Sequence, residues 1–308
     1  MISKPHAIQV LLLPLICAFG ASACGNYSND DVDFELALPD QNDIEAKTQL
    51  TVTRPDSAEY YVDTQSAITT FNSMATTLLG FIDHVRGYPP SQRNGNQRVW
   101  GPFPSDHYPS WQIQVVMVRA IVSDTLQMAY HADLRPVGQG DSAWVSLLVG
   151  SYTSQAGAVP SQGTVSFLAQ TVRAAGYPID DDPGVVNLDH LDVTYQNVTY
   201  PITVTMTIQN LPTAQTQSGQ YNYAEQQDGS GSMDFTWQGT TDTNVQGSAE
   251  MNSRWLGSGA GRADLVFTPS SSGAATTLGT DCWGVDTVAS YSYRLNITPT
   301  TSPDTCLF

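Results

Sequence analysis

From residue 95 onward the apolar residues recur at every second position, a period that suits half-buried β-strands and not an amphipathic helix. Trp111-Gln112-Ile113-Gln114-Val115 alternates in this way. Leu126, Met128, Tyr130, Ala132 and Leu134 interleave with Gln127, Ala129, His131 and Asp133. Residues 202–208 read Ile-Thr-Val-Thr-Met-Thr-Ile, and Tyr221/Tyr223, Met233/Phe235/Trp237 and Tyr291/Tyr293/Leu295 repeat the pattern. Turn-forming clusters separate these runs: Val137-Gly138-Gln139-Gly140-Asp141, Asn210-Leu211-Pro212, Asp228-Gly229-Ser230-Gly231 and residues 257–261. About ten to twelve short strands are expected. One wet and one dry face per strand means an antiparallel meander, because parallel strands are buried on both faces.

The 3.6-residue period occurs once, over residues 65–86. Ile68, Phe71, Ala75, Leu78, Ile82 and Val85 recur at three and four residues, with Met74 and Leu79 widening the stripe. Gly87 and Tyr88-Pro89-Pro90 then stop the helix. The opposite face carries Thr69, Asn72, Ser73, Thr76 and Asp83 and no lysine, which argues against a basic membrane-surface helix. The expected fold class is therefore α+β: one long N-terminal amphipathic helix packed on a strongly curved, mostly antiparallel β-meander, an open or nearly closed barrel.

Residues 1–23 have the layout of a secretory signal peptide: Lys4, an apolar run from Ala7 to Phe19, then Gly20-Ala21-Ser22-Ala23. The run is short and contains Pro14, too little to span about 30 Å of hydrocarbon as a helix. Ala21-Ser22-Ala23-Cys24-Gly25 resembles a bacterial lipobox, with Ala21 where that pattern prefers Leu. The resemblance implies that Cys24 becomes the lipidated N-terminus. Gly25, with no Asp after the cysteine, implies sorting to the outer membrane of a Gram-negative cell. More than one acyl chain anchors stably where a single chain is marginal. The alternative is an ordinary signal peptide in which Cys24 is incidental.

The expected organisation is a signal peptide (1–23), a lipidated cysteine with an acidic tether (24–62) and a single β-rich domain (63–308). Asp30, Asp31, Asp33, Glu35, Asp40, Asp43 and Glu45 crowd the tether, and like charges extend a linker. Phe34–Leu38 is a short apolar run within it that can dock locally. Cys17 leaves with the signal and Cys24 takes lipid, so Cys282 and Cys306 remain as a disulfide pair in an oxidising compartment.

Charge excludes one large class of function. The chain has 12 Lys+Arg against 29 Asp+Glu, a formal charge of −17 and only 13% charged residues. Removing residues 1–23 takes away Lys4 and no acid. Nucleic-acid binding needs clustered positive charge, and here the two lysines and the scattered arginines supply none.

Catalytic and metal motifs are lacking. The histidines are His6, His84, His107, His131 and His190, and no two have the spacing of metal ligands on one helix. Gly229-Ser230-Gly231 is too tight for a nucleophile elbow and falls in a turn. Residues 257–261 open a strand and not a helix, so they cradle no phosphate. No cofactor and no metal are expected. Asp180-Asp181-Asp182-Pro183-Gly184, with Asp189 and Asp192, offers oxygen ligands but lacks calcium-loop spacing and reads as a solvated turn. The most suggestive patch is the loop 100–111, where Trp100, Phe103, His107 and Tyr108 precede Trp111 among three prolines. Those rings can form a stacking platform for a glycan or other flat ligand, or they can plug one end of the sheet. Arg86, Arg93 and Arg98 make this corner locally positive.

The order of lipobox, acidic spacer, helix, Val99-Trp100-Gly101-Pro102, meander, Asp228-Gly229-Ser230-Gly231, Gly259-Ala260-Gly261-Arg262-Ala263-Asp264 and Asp281-Cys282-Trp283 resembles lipoproteins of myxobacteria and their relatives. That family has no established activity, so the resemblance implies location and architecture and nothing about mechanism. The helix-plus-sheet plan also resembles periplasmic carriers of lipoprotein acyl chains, at the level of fold only.

The leading expectation is a non-enzymatic outer-envelope lipoprotein, a structural or binding module held to the membrane by Cys24. The alternative is a carrier enclosing an acyl chain between helix and sheet. Less favoured are a glycan binder and an envelope hydrolase built on His131 with Asp133, which are two residues apart and share a strand face.

Overall fold

The computed structural model describes residues 29–36, 38–39, 41–47, 56–86, 88–105, 108–123, 125–155, 162–181, 185–212, 216–240, 244–295 and 306. Residues 1–28, with the expected signal peptide and Cys24, lie outside them, as does His107. The described chain divides into two compact units. The N-terminal unit holds residues 29–44 and 73–198, and the C-terminal unit holds residues 45–72 and 199–306.

The fold is mostly antiparallel β-sheet, with fourteen strands among the described residues. In the N-terminal unit β1 (Gln92–Asn94), β2 (Gln97–Pro104), β3 (Trp111–Val122), β4 (Thr125–Pro136), β5 (Val145–Gln155), β6 (Gln162–Phe167) and β7 (Leu188–Gln196) each pair with the next. In the C-terminal unit the same holds for β8 (Ile202–Asn210), β9 (Thr216–Glu225), β10 (Gly231–Thr240), β11 (Gln246–Trp255), β12 (Gly261–Pro269), β13 (Thr276–Trp283) and β14 (Ala289–Arg294). The strand order is linear, so among the described residues neither meander closes on itself.

Alternation decides the faces. Val204, Met206 and Ile208 on β8 are buried with Tyr221 and Tyr223 on β9 and Met233 on β10, and the threonines between them face the other way. Several strands carry a glycine opposite a large ring on the neighbouring strand. A Cβ on Gly150 would lie 2.1 Å from the Tyr130 ring, and one on Gly261 would lie 2.5 Å from the Trp283 ring. Both pairs are directly in register. The ring lies over the bare backbone, so the aromatic fills the space that the glycine leaves.

A helix, α3, runs from Glu59 to Arg86 after two short helices, α1 (Asn29–Leu36) and α2 (Gln41–Ile44). It begins inside the segment expected to be tether. Ala58, just before it, has no side-chain acceptor for the first helical N–H groups. Asp281 on β13 supplies one, accepting from the Tyr60 amide at 2.9 Å, and its charge also suits the positive helix terminus. Arg294 completes the cluster: it donates to both Asp281 oxygens and lies 4.0 Å over the Tyr60 ring. Within the C-terminal unit Tyr61 meets Trp283 edge-on, Thr64 bonds Ser253, and Phe71 meets Tyr221.

The acidic stretch 29–46 is likewise not an extended spacer. Asp31, Phe34, Leu38, Ile44 and Ala46 are all buried. In the N-terminal unit Asp31 receives Arg93 Nε at 2.9 Å and Arg98 Nε at 2.6 Å. The Phe34 ring lies 4.7 Å from the Arg98 guanidinium and 5.0 Å from that of Arg119. Charge complementarity between an acidic segment and the arginine-rich corner overrides the self-repulsion that favoured an open tether. Among the described residues no helix is long and apolar enough to cross a membrane.

Candidate functional site

In the N-terminal unit β3 to β7 bury Met117, Tyr130, Leu148, Val165 and Val193 on one face. The opposite face carries the only histidine–aspartate contacts among the described residues. His131 Nδ1 lies 2.7 Å from Asp133 Oδ2 on the same strand. A bulge between Ala132 and Asp133 sets the aspartate opposite Ser146 of β5, whose hydroxyl donates to Oδ1 at 2.8 Å. Gln114 on β3 donates to Oδ2 at 3.3 Å. Burial pushes the Asp133 carboxyl up, and the hydrogen bonds and charge from His131, with those from Ser146 and Gln114, outweigh it, so it titrates below the ordinary aspartate range.

A second His-x-Asp stands on β7. His190 Nε2 is 3.5 Å from Asp192 and its Nδ1 is 3.7 Å from Asp189. Ser166 of β6 donates to Asp192 and is its direct cross-strand neighbour. Register links the two pairs in one row: His131 opposite Val149, Val149 opposite Ser166, and Ser166 opposite Asp192. The sequence shows the repeated spacing at 131–133 and 190–192, but only strand register tells that both fall on one face.

This arrangement holds a protonatable ring at a sheet face. Asp133 engages Nδ1, which turns Nε2 away from the carboxylate, the orientation a general base needs. Ser146 donates its hydroxyl proton to the same carboxylate. Among the described residues no three metal-binding side chains gather.

The aromatic loop is assembled for packing. Trp100 is fully buried, and its indole N–H donates to the Tyr88 carbonyl at 2.8 Å. Its ring therefore offers no face to a ligand, which corrects its expected place in a stacking platform. Phe103 packs against Tyr88. Tyr108 donates to the Pro178 carbonyl and meets Tyr177 edge-on, and Trp111 meets Tyr177 from another side. These rings seal the connection after the short helix α4 (Ala169–Ala174). Burial raises the Tyr177 hydroxyl pKa, with Ser105 partly opposing. In the acidic loop Arg173 takes Asp180 and the carbonyls of Leu188 and Val185, so its charge is met internally.

In the C-terminal unit the core-side face becomes half-exposed away from α3. Tyr221 stacks on Phe235 at 4.2 Å, and Phe235 contacts Trp237 at 5.0 Å. Trp237 sits between Gly219 and Ala249, with Phe267 beyond Ala249. Phe235, Trp237 and Phe267 are half-buried. Cys282 and Cys306 form a disulfide, with Cα atoms 5.5 Å apart. No family model, curated protein or solved structure matches the chain.

Proposed function

We propose that the protein is a lipid-anchored, non-enzymatic module of the outer envelope that works by binding. In this reading Cys24 carries the acyl chains and the polar face around His131 and Asp133 is the contact surface. The observation that supports it most is the Cys282–Cys306 disulfide, which persists in an oxidising compartment and fits an exported chain with the lipobox-like Ala21-Ser22-Ala23-Cys24. The test is fractionation of cells expressing the full chain or its Cys24→Ala variant. The unsubstituted chain goes to the outer membrane fraction and the variant is released to the soluble periplasmic fraction. Equal membrane association of both would sink the reading.

A second reading, the carrier, rests on the half-exposed Phe235, Trp237 and Phe267 beside Gly219 and Ala249. A sheet curved around α3 would offer an acyl chain these rings and the space the small residues leave. Native mass spectrometry of the chain from an envelope decides it: a retained lipid adduct, lost on Trp237→Ala, favours the carrier, and a bare mass removes it.

A further inference from the structure

Resting on the anchoring reading, we infer that the β3–β4 hairpin tip enters the bilayer surface beside the lipidated cysteine. The end of β3, just before the turn residue Ser123 and then Asp124, is apolar on both faces. Ile121 is 71% exposed, and Val122 and Val118, on the other side of the strand, are 50% and 42% exposed. Single exposed aliphatics need no explanation, but three clustered at one strand end form a patch of the kind that marks an interaction surface. Here Ile121 pairs with Leu126 and Val122 with Thr125, so the partner strand adds little polarity.

The tip's position names its occupant. Arg119, two residues before Ile121, lies over the Phe34 ring of α1, so α1 and the tip share one end of the N-terminal unit. That helix is fixed there by Asp31 on Arg93 and Arg98. Cys24 stands only five residues before Asn29, the first residue of α1. Five extended residues reach at most about 18 Å. An acylated Cys24 therefore holds this end near the headgroup layer. Val32 on α1 is also exposed. The docked helix thus orients the anchored end, with Ile121 and Val122 as a second, shallow contact.

The test uses the full acylated chain in phosphatidylethanolamine–phosphatidylglycerol vesicles, with an environment-sensitive fluorophore on Ile121→Cys or, as control at the far end of β4, on Gln139→Cys. The reporter at 121 is expected to shift to the blue and to be quenched at least threefold more by nitroxide on the acyl chains than the one at 139. Equal quenching of both by aqueous iodide would overturn the inference. So would shielding of the 121 reporter without vesicles, since that points to a protein partner or a second copy. A separate arm does not depend on acylation: the Cys24→Ser chain is sedimented with the same vesicles, with and without Ile121→Asp and Val122→Asp. The double change should lower the bound fraction about tenfold, with unchanged melting as the folding control. No change there rejects the tip, whereas an unacylated Cys24 in the first arm rejects only the anchor.

Discussion

Replacing Asp31 by Asn tests the docking of α1 most sharply. The change keeps shape and one acceptor but removes the charge between Arg93 and Arg98. Arg93 is well exposed, and its pair contributes at most about 1 kcal/mol. Arg98 is different: its side chain is 5% exposed against a fully buried Asp31, at 2.6 Å. Breaking a buried pair leaves an uncompensated charge and costs about 3–5 kcal/mol. The lower end applies, because Arg98 Nη1 still donates to the carbonyls of Asn94 and Gln97 at 2.9 Å. At about 2–4 °C per kcal/mol for a chain of this size, Tm should fall by about 6–12 °C. Cleavage near residue 40 by a dilute protease should quicken at the same time. The shift should persist in 1 M salt, where surface pairs are screened within about 3 Å. Replacing the pair by Asp31→Leu with Arg98→Met should recover most of the loss, since a packed apolar pair needs no counter-charge. A Tm within about 2 °C of the unsubstituted chain, a shift that vanishes in salt, or a double variant no better than the single one would refute the buried latch.

Three further outcomes are expected. Gly150→Ala and Gly261→Ala each force a methyl into the facing ring, and the second also meets the Arg254 carbonyl at 2.6 Å, so each should cost about 1–3 kcal/mol in chemical denaturation; Gly138→Ala, with open space around its Cβ, should show no such clash and only the cost of its positive φ. The Asp133 carboxyl is lowered in the folded chain, so its contribution is present above the unfolded value near 3.9 and is lost as pH falls through the folded one. The stability gap between the unsubstituted chain and Asp133→Asn should therefore be constant near neutrality and shrink below about pH 4, and a gap that widens in acid would contradict the hydrogen-bond set. Reducing the disulfide, or Cys282→Ser with Cys306→Ser, should cost about 3.5 kcal/mol, the entropy of the loop it closes.

The meander could be read from the chain because period 2 is a local property: Ile202–Ile208 and Leu126–Leu134 announce both their strands and their faces. What could not be read lies in contacts between distant residues. The start of α3 at Glu59 depends on the Asp281 carboxylate, 221 positions from the Tyr60 amide that it accepts from, and Glu59-Tyr60-Tyr61-Val62 has no helical signature of its own. The docking of α1 was half visible, since the acids of residues 30–45 and the arginines at 93 and 98 were each noted, but their pairing is a matter of topology. The role of Trp100 stayed open between platform and plug because an aromatic-rich loop looks alike whether its rings face a ligand or a neighbouring turn. The His131–Asp133 contact followed from strand geometry, while its kinship with His190–Asp192 needed the register of β5 and β6.

The central claim, a chain anchored by lipid on Cys24, is tested most directly by the intact mass and N-terminal sequence of the protein extracted from an envelope. The account predicts a chain that starts at Cys24, carries acyl groups on it and keeps the Cys282–Cys306 bond. A chain that starts elsewhere, or an unmodified Cys24, would contradict it.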